Sequence, residues 1–295
     1  MPLTENTGSE ERSRGPSPTA LVLLSIGSVQ FGAAIAKGLF DSLGPGGTVF
    51  LRISLAALVL LLLWRPALVG YGRREYGLAV VFGLVLAAMN LSLYMAIDRI
   101  PLGIAVTLEF VGPLSVAVFG SRRLLDGLWA ALAAAGIVLL APLDVLGSSD
   151  LDPVGVGFAL LAGVLWACYI LLTARVGGVF PGVTGLTISL LVGTIVLLPV
   201  GVAAGGWALL DPWILLSALG VAVLSSAVPY SLEMQALRRL PTRVFGVLMS
   251  LEPAVAALVG FAILGELLGL RAVAAVALVT AAAAGSSLFS RQEKA

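Results

Sequence analysis

The sequence predicts an all-α membrane protein with ten transmembrane helices, arranged as two inverted five-helix repeats with both termini in the cytoplasm. Three observations predict this fold: a very apolar composition, a regular series of apolar runs, and a similarity between the two halves. Of the 295 residues, 59% are hydrophobic and 11% are charged, whereas a soluble domain has about 25% charged residues. The formal net charge of +1 and the absence of a long basic stretch exclude a disordered or nucleic-acid-binding chain.

The apolar runs indicate where the spans lie. A helix needs about 20 apolar residues to cross the hydrocarbon core of a bilayer, and Gly, Pro and charged clusters divide the chain into ten such runs. The predicted spans are 20–40, 46–64, 76–97, 101–119, 125–142, 154–174, 182–203, 213–234, 242–263 and 269–289. Barrel strands are not predicted, because no segment alternates between apolar and polar residues and the runs are too long.

The chain before the first span differs from the rest. Residues 1–19 are rich in Ser, Glu, Arg and Pro, a composition typical of a disordered segment, here a cytoplasmic tail. The following run, from Ala20 to about Phe40, is too long for the core of a signal peptide. Gln30 and Lys37 also stand where a cleavage site needs small residues. We therefore predict that this run is retained as the first helix.

The basic residues predict the orientation. With the amino terminus inside, 13 of the 17 Lys and Arg residues fall in cytoplasmic segments, three fall in outer segments and Arg52 lies within a span. The thirteen are Arg12, Arg14, Arg65, Arg73, Arg74, Arg122, Arg123, Arg175, Arg238, Arg239, Arg243, Arg291 and Lys294, and the three are Lys37, Arg99 and Arg271. Such a bias in short loops is a strong orientation signal, which an error in the number of spans would have blurred.

An internal similarity predicts a duplication. Residues 96–101 read AIDRIP and residues 236–241 read ALRRLP, an offset of 140 residues. The same offset pairs Leu108 with Leu248, Pro113 with Pro253, Ala117 with Ala257 and Gly120 with Gly260. The predicted repeats are 20–142 and 154–290, with five spans each. Because five is odd, the second repeat enters the membrane upside down, a recurring design of secondary transporters with the substrate site between the halves.

Several kinds of chemistry are excluded. The chain has no histidine and one cysteine, Cys168, so His-based metal sites, Ser-His and Cys-His pairs and a Cys metal cluster are impossible. We predict no metal and no cofactor. An intramembrane transferase is also disfavoured, because no loop at a membrane surface carries paired carboxylates. The protein is therefore not predicted to be an enzyme.

Two glutamates are the leading candidates for a functional site. Glu109 lies eight residues after Pro101 and Glu252 lies eleven after Pro241, depths of about 12 and 16 Å at 1.5 Å per residue. Charges at bilayer depth cost roughly 2.5–3.5 kcal/mol on insertion scales and usually face a cavity or a partner. Each glutamate lies beside a proline, Pro113 or Pro253, which loosens the helix and frees a carbonyl. The alternative is that each acid is buried for packing alone.

Other polar residues within the spans have either a functional or a structural interpretation. Lys37 either snorkels to water or meets a substrate carboxylate or a membrane glutamate. Arg52 is predicted to be structural and paired across helices, and Glu233 to form an interfacial ion pair with Arg238. Six further residues either line a pathway or hydrogen-bond between helices: Gln30, Asn90, Tyr94, Trp166, Tyr169 and Tyr230. Asn90 and Tyr94 share a helix face, and so do Trp166 and Tyr169.

Together these features resemble a known family. The two halves of short spans, the arginine in FLRISLAALVLLLLWRP, the repeated Arg-x-Pro and LEPAVAALVGFAILGE at 251–266 resemble the EamA branch of the drug/metabolite transporter superfamily. Within it, RIPLGIAVTLEFVGPLSVAVFGSRR at 99–123, the stretch 225–266 and the stretch 28–52 are similar to bacterial inner-membrane threonine/homoserine exporters. The resemblance implies efflux of small amino acids driven by the proton gradient.

The predicted function is therefore secondary transport. We expect export of a small neutral amino acid such as threonine or homoserine across the bacterial inner membrane, by proton antiport with alternating access. A glutamate would meet the substrate ammonium, and Lys37, polar side chains or broken-helix ends would meet its carboxylate. The alternatives are the same fold exporting another metabolite, a drug or an aromatic amino acid, and a non-transporting scaffold. The expected partners are the amino acid, protons and lipid, and the sequence does not distinguish a monomer from a homodimer.

Overall fold

The computed structural model describes residues 16–121, 123–140, 151–255 and 270–292, apart from a few side chains that include Lys37. Within these ranges all regular secondary structure is helical. The helices are α1 (Pro18–Trp64), α2 (Arg73–Ile97), α3 (Leu102–Glu109), α4 (Val111–Phe119), α5 (Leu124–Leu140), α6 (Pro153–Val179), α7 (Thr184–Gly205), α8 (Pro212–Ala222), α9 (Val228–Leu237), α10 (Thr242–Met249) and α11 (Leu270–Gln292). A 3-10 turn at Gly206–Leu210 joins α7 to α8, a π turn at Val223–Ala227 joins α8 to α9, and residues 251–255 are helical after α10.

Many of these helices match a membrane in length. Five stretches are long and apolar enough to cross one: Gly38–Trp64, Arg73–Ile97, Pro153–Val179, Thr184–Leu210 and Pro212–Leu237. Shorter apolar helices cover Pro18–Gly32, Ile104–Phe119, Leu124–Leu139 and Val273–Ser286. The protein is therefore an all-helical membrane protein, as predicted at this level. The described residues do not include 256–263 of the ninth predicted span or the segment around Glu266 that follows it.

Helix α1 contains the first two predicted spans. Gly44 interrupts it with a φ of 62° and a ψ of 178°, a conformation that favours glycine. Pro45 follows and has no amide to donate into the preceding turn. The hydroxyl of Thr48 donates to the Gly44 carbonyl at 2.8 Å. The sequence Leu-Gly-Pro-Gly-Gly thus divides one long helix into two helices at the predicted boundary.

The amino-terminal boundary differs slightly from the prediction. Helix α1 begins at Pro18, so the last two residues of the predicted tail are helical. Ser17 is the N-cap, and its hydroxyl accepts from the amide of Ala20 at 3.2 Å, while Pro18 suits the first turn because its missing amide would have no partner there. Residues 1–15 of the tail lie outside the described part of the chain.

Two helices are interrupted at corresponding positions. Phe110 separates α3 from α4 with φ and ψ of −62° and −11°, and Ser250 ends α10 with −63° and −12°. These residues lie 140 positions apart, and each stands three before a proline, Pro113 or Pro253. A proline lacks the amide that would bond the carbonyl four residues earlier, so the carbonyls of Glu109 and Met249 are released from the helical pattern.

A close crossing of α4 and α6 positions the first interruption. A Cβ on Gly112 would lie 2.1 Å from the Gly163 carbonyl oxygen, and a Cβ on Gly163 would lie 2.8 Å from the Glu109 carbonyl oxygen. Only glycine permits such an approach of two helix backbones. Glu109 is therefore held against α6, next to the side of that helix that carries Trp166.

Proline also explains the π turn between α8 and α9. Pro229 cannot donate to the carbonyl of Ser225, four residues earlier, and the neighbouring Val228 amide instead bonds the Val223 carbonyl, five residues earlier. The Leu224 carbonyl accepts a 2.7 Å hydrogen bond from the Ser28 hydroxyl on α1. A π turn shifts the register of the following residues, which here sets the direction of Tyr230 and Glu233 on α9.

Outside the apolar spans, one ion pair fixes the start of α6. The carboxylate of Asp152 accepts from the Val154 amide at 2.9 Å and from Arg99 Nη1 at 3.1 Å. The backbone amide, and then Arg99, lower the pKa of Asp152 below its ordinary value. The loop between α2 and α3 is thereby tied to the first turn of α6.

Candidate functional site

A cavity lies where α1, α2, α6 and α9 meet the two interrupted helices. The volume within it that is open to water-sized molecules is about 100 Å³. Three carboxyl groups, two serine hydroxyls, one amide and three large aromatic rings face it. Its described lining consists of Ser25, Ile26, Val29, Met89, Asn90, Leu93, Glu109, Trp166, Tyr169, Ser225, Tyr230, Glu233, Met249 and Glu252. No cationic side chain belongs to that lining, so the wall itself is acidic.

One end of the cavity is built around Glu233. One carboxylate oxygen, Oε1, accepts from the Ser25 hydroxyl at 2.6 Å, and the other, Oε2, accepts from the Tyr169 hydroxyl at 2.9 Å. Glu233 is 4% exposed, so these contacts from α1 and α6 fix its position. The carboxyl group is held by neutral donors and retains free acceptor sites.

The other end is built around Arg52. Its Nη1 donates to the Tyr94 hydroxyl at 2.9 Å, and its Nη2 donates to the Tyr230 hydroxyl at 3.1 Å and to the Asn90 side-chain oxygen. The guanidinium carbon also lies 5.2 Å from the centre of the Tyr94 ring, within the range of a cation–π contact. Arg52 is 8% exposed and lies behind Asn90 and Tyr230, which face the cavity.

The two ends are joined by aromatic rings. The ring centres of Tyr169 and Tyr230 lie 5.5 Å apart, and Tyr230 also receives a 3.0 Å hydrogen bond from Asn90 Nδ2. Trp166 packs against Phe110 at 5.0 Å between ring centres. The cavity therefore combines an acidic end, a cation behind its opposite end and an apolar wall, the usual composition of a site for a small polar molecule.

Glu109 and Glu252 enter the cavity from the two interruptions. Glu109 is the last residue of α3 and is 6% exposed, whereas Glu252 is half-buried two residues after Ser250. Among the described side chains, neither carboxyl group is within ion-pair distance of a cation. No ion pair with a described residue therefore has to break before either acid binds an incoming cation or a proton.

Comparison with known proteins identifies the family of the chain. The profile of the EamA-like transporter family matches residues 153–288. The threonine/homoserine exporter RhtA of Salmonella typhimurium strain LT2 is 43% identical over 276 residues, which cover 94% of this chain and 93% of that protein. This chain belongs to the EamA-like transporter family. The RhtA exporter of Escherichia coli K12 is 42% identical to this transporter over 278 residues, with coverage of 94% and 93%.

A solved structure shares the fold of the transporter. The crystal structure of another protein, 16% identical in sequence, superposes with a TM-score of 0.72 over 94% of this chain and 99% of that chain. At this level of identity the likeness concerns the fold alone. The family assignment means that the protein is a transporter and not an enzyme.

The structure brings most of the predicted site residues of the transporter together. Six of them line the cavity: Asn90, Glu109, Trp166, Tyr169, Tyr230 and Glu252. Tyr94 lies behind the wall and reaches it through Arg52. Gln30 is half-buried and is not part of the described lining, and the side chain of Lys37 lies outside the described residues. Pro113 is buried and Pro253 half-buried, each one turn beyond its helix interruption.

The assignment of Glu233 needs correction. The predicted ion pair of Glu233 with Arg238 does not form, because Arg238 donates to the carbonyls of Gly177 and Phe180 at 2.7 and 2.8 Å, and also to that of Gly182. Glu233 instead faces the cavity. Arg52 is paired across helices as predicted, although its described partners are neutral. The spacing of the two residues explains the error, because residues five apart on a helix do not share a face, whereas residues three or four apart do.

Three lining residues carried a weaker sequence signal. Ser25 is one of two serines in an apolar span, Ser225 precedes the Ser-Ala-Val-Pro segment, and Met249 is a common core residue. Ser25 and Val29 are four apart and share a face, but nothing in that spacing distinguishes a cavity from a packed interface. Met249 is the position that corresponds to Glu109 at the offset of 140, which is the one signal that pointed to it.

Proposed function

We propose that this protein exports threonine, homoserine or similar small neutral amino acids across the bacterial inner membrane, in exchange for protons. The observation that carries the proposal is the 43% identity, over nearly the whole chain, to a threonine/homoserine exporter. The cavity supports it, because a zwitterion needs an acid for its ammonium and hydrogen-bond donors for its carboxylate. Glu233 and Tyr230, both in the lining, supply one of each.

Alternating access between two inverted repeats is the proposed mechanism. Two pairs at the offset of 140 support the repeats: the interruptions at Phe110 and Ser250, and the helix ends at Ile97 and Leu237. The packing of the helices fits the same relation between the two repeats. Helix α2 of the first repeat packs on α6 of the second, and the first part of α1 packs near α8 and α9 in the corresponding way. Helix α5 also pairs with α11, and α4 with α10.

One contact within the site is a further argument for a two-fold relation. Asn90 and Tyr230 are 140 residues apart and hydrogen-bond to each other at 3.0 Å. Equivalent residues of two repeats meet each other where they lie next to a two-fold axis. The proposed axis therefore passes beside the cavity, so rocking of one half against the other would open the cavity first to one side and then to the other.

Ten spans with both termini in the cytoplasm complete the proposed topology. The bias of basic residues described above supports this orientation. The family match at 153–288 falls on the second proposed repeat, 154–290. In this arrangement the turns before α3 and α10, which carry Arg99 and Arg239, lie on opposite sides of the membrane, as inversion requires.

Glu109 and Glu252, two of the three carboxyl groups of the cavity, are the proposed proton carriers. Without histidine in the chain, carboxyl groups are the side chains that can release and bind protons near neutral pH in such a site. A proton on Glu109 or Glu252 lowers the negative charge of the cavity, and this weakens the binding of a substrate ammonium within it. Proton binding and amino-acid binding therefore compete, which is the basic requirement of antiport.

Transport into inverted vesicles tests the function. Labelled threonine and homoserine should accumulate when a pH gradient is imposed and should not when it is collapsed. Glu109→Gln and Glu252→Gln should each abolish the gradient-driven part, while Glu75→Gln, an acid outside the cavity, should transport normally. Unlabelled phenylalanine and tryptophan serve as competitors, because the aromatic wall would also suit an aromatic cargo. Absence of threonine and homoserine uptake in the unmodified protein would refute the proposal.

A further inference from the structure

The cavity has two chemically opposite ends on one face of α9. Tyr230 and Glu233 are three residues apart on this helix, so their side chains are neighbours, with about 5–6 Å between Cβ atoms. Tyr230 contacts the cation of Arg52, and Glu233 is held by Ser25 and Tyr169. This spacing suits a molecule whose positive and negative groups are attached to the same carbon atom.

The hydrogen bonds at the Arg52 end leave one donor available to the cavity. The Tyr230 oxygen accepts from Arg52 Nη2 at 3.1 Å and from Asn90 Nδ2 at 3.0 Å. Both lone pairs of the phenol are then used, so its own proton must be donated. The acceptor within reach is the Asn90 oxygen at 3.2 Å, which already accepts from Arg52. The Tyr230 hydroxyl is therefore a donor that can turn to a better acceptor in the cavity.

The charge of Arg52 is not neutralised by its described neighbours. Its hydrogen-bond partners are two phenols and an amide, and its Nε is buried without a hydrogen-bond partner among the described residues. A buried cation without a carboxylate partner favours the arrival of an anion. Because Arg52 stands behind Tyr230 and Asn90, its charge acts on the cavity through these two side chains.

The hydrogen bonds at the Glu233 end leave an acceptor available. Each oxygen of a carboxylate has two lone pairs, and Ser25 and Tyr169 use one on each oxygen. The remaining lone pairs can accept from an ammonium group. Ser25 and Tyr169 are donors at these bonds and do not compete with the ammonium, so they hold the carboxylate in place for it.

We propose that the substrate carboxylate is bound by the Tyr230 hydroxyl, with Arg52 and Asn90 as its positioning residues, and that the substrate ammonium is bound by Glu233, oriented by Ser25 and Tyr169. The inference rests on the proposed function, since it assigns the two ends of an amino acid to the two ends of the same cavity. It leaves Glu109 and Glu252 as the acids that exchange protons. Lys37 is not needed for the carboxylate.

Competition with half-substrates tests the two assignments separately. Purified protein in liposomes, without a pH gradient, exchanges labelled threonine for internal threonine. Threonine amide carries the ammonium without a carboxylate, and 3-hydroxybutyrate carries the carboxylate without an ammonium. For each variant the concentrations of threonine, threonine amide and 3-hydroxybutyrate that halve the exchange are measured.

The variants should lose affinity in opposite patterns. Tyr230→Phe keeps the ring beside Tyr169 and should weaken threonine and 3-hydroxybutyrate by roughly ten- to a hundredfold, the effect of a hydrogen bond to a charged group, while threonine amide stays within about twofold. Arg52→Met should follow the same pattern. Glu233→Gln should weaken threonine and threonine amide and leave 3-hydroxybutyrate unchanged. Tyr76→Phe, whose hydroxyl bonds the Leu68 carbonyl away from the cavity, is the matched control and should change none of the three.

The outcomes separate this inference from the function on which it rests. If the unmodified protein exchanges threonine but Tyr230→Phe and Glu233→Gln weaken all three compounds equally, or none of them, the assignment of the two ends is wrong and export stands. If the unmodified protein exchanges neither threonine nor homoserine, the proposed function itself fails. Should Arg52→Met not assemble in the membrane, Tyr230→Phe alone decides, because it removes a single oxygen atom and preserves the packing.

Discussion

The interrupted helix of the first half, α3 with α4, and that of the second half, α10 with residues 251–255, have the same backbone and different chemistry. Both are interrupted by a residue with nearly identical φ and ψ, three positions before a proline. The first presents its acid, Glu109, just before the interruption, and the second presents Glu252 two residues after it. The two interruptions thus share a backbone shape that is set by the proline, while their different side chains make the cavity asymmetric.

Exchanging the acid between the two interruptions gives the largest expected effect. Met249 corresponds to Glu109 and also lines the cavity. Glu109→Met should reduce gradient-driven export to the level of vesicles without the protein, because a proton-binding group is lost. Adding Met249→Glu should restore a measurable part of it, since the acid returns to the same cavity from the equivalent position.

Uptake of labelled threonine into inverted vesicles measures both variants at equal protein level. Met249→Glu alone, with Glu109 intact, serves as the control for the added charge. Full activity of Glu109→Met would show that the acid at the first interruption has no part in coupling, and the two interruptions would then differ in function as well as in chemistry.

A smaller effect is expected when a methyl group is added at the close crossing of α4 and α6, beside the first interruption. Gly163→Ala places a Cβ 2.8 Å from the Glu109 carbonyl oxygen, and such overpacking costs about 1–3 kcal/mol. Thermal unfolding in detergent should show the lower stability, and threonine export should fall with it because Glu109 is displaced. Gly157→Ala on the same helix meets nothing within 4 Å and should leave export unchanged. Equal behaviour of the two variants would contradict the tight crossing.

The smallest effect is expected when the ion pair at the start of α10 is removed. Arg243 Nε lies 3.5 Å from a carboxylate oxygen of Asp126 at the start of α5, with side-chain exposures of 14% and 21%. The corresponding residue of the first half is Gly103, which offers no such pair. Arg243→Gln should cost about 0–1 kcal/mol, the range of ion pairs near a protein surface, and the difference should shrink at high salt.

Unfolding temperatures at low and high salt measure this effect, with Arg74→Gln at the exposed start of α2 as the control. A loss well above 1 kcal/mol, or one that salt does not change, would mean that Arg243 supports the second half through packing rather than through charge. The second interruption would then depend on its neighbours far more than the first does.

Much of the architecture was readable in the chain. Apolar runs and the Gly and Pro residues between them predicted the helices and the division of α1 at Gly44, because in an apolar environment backbone groups must bond within helices and helices end where an amide is missing. The Arg-x-Pro pair predicted that two segments are related, and both adopt the same turn. The resemblance of long stretches to known exporters likewise predicted the family to which the chain belongs.

The site was readable in part. Glu109 and Glu252 could be predicted, because a carboxyl group deep in an apolar span is costly unless it faces a cavity. Glu233 could not, because its position near Arg238 in the sequence suggested an ion pair, although residues five apart on a helix do not share a face. Ser25 gave only a weak signal, since a serine in a helix can equally bond its own backbone.

The sequence by itself determined which segments are helices, where they are interrupted and that acids lie deep within them, because hydropathy, glycine and proline act locally along the chain. Only the tertiary structure decided which polar groups meet. Arg52, Asn90 and Tyr230 come from three helices up to 178 residues apart, and Ser25 reaches Glu233 across 208 residues. Such contacts depend on the rotation of each helix about its axis, and a single π turn changes that rotation without altering the apolar pattern from which the helix is predicted.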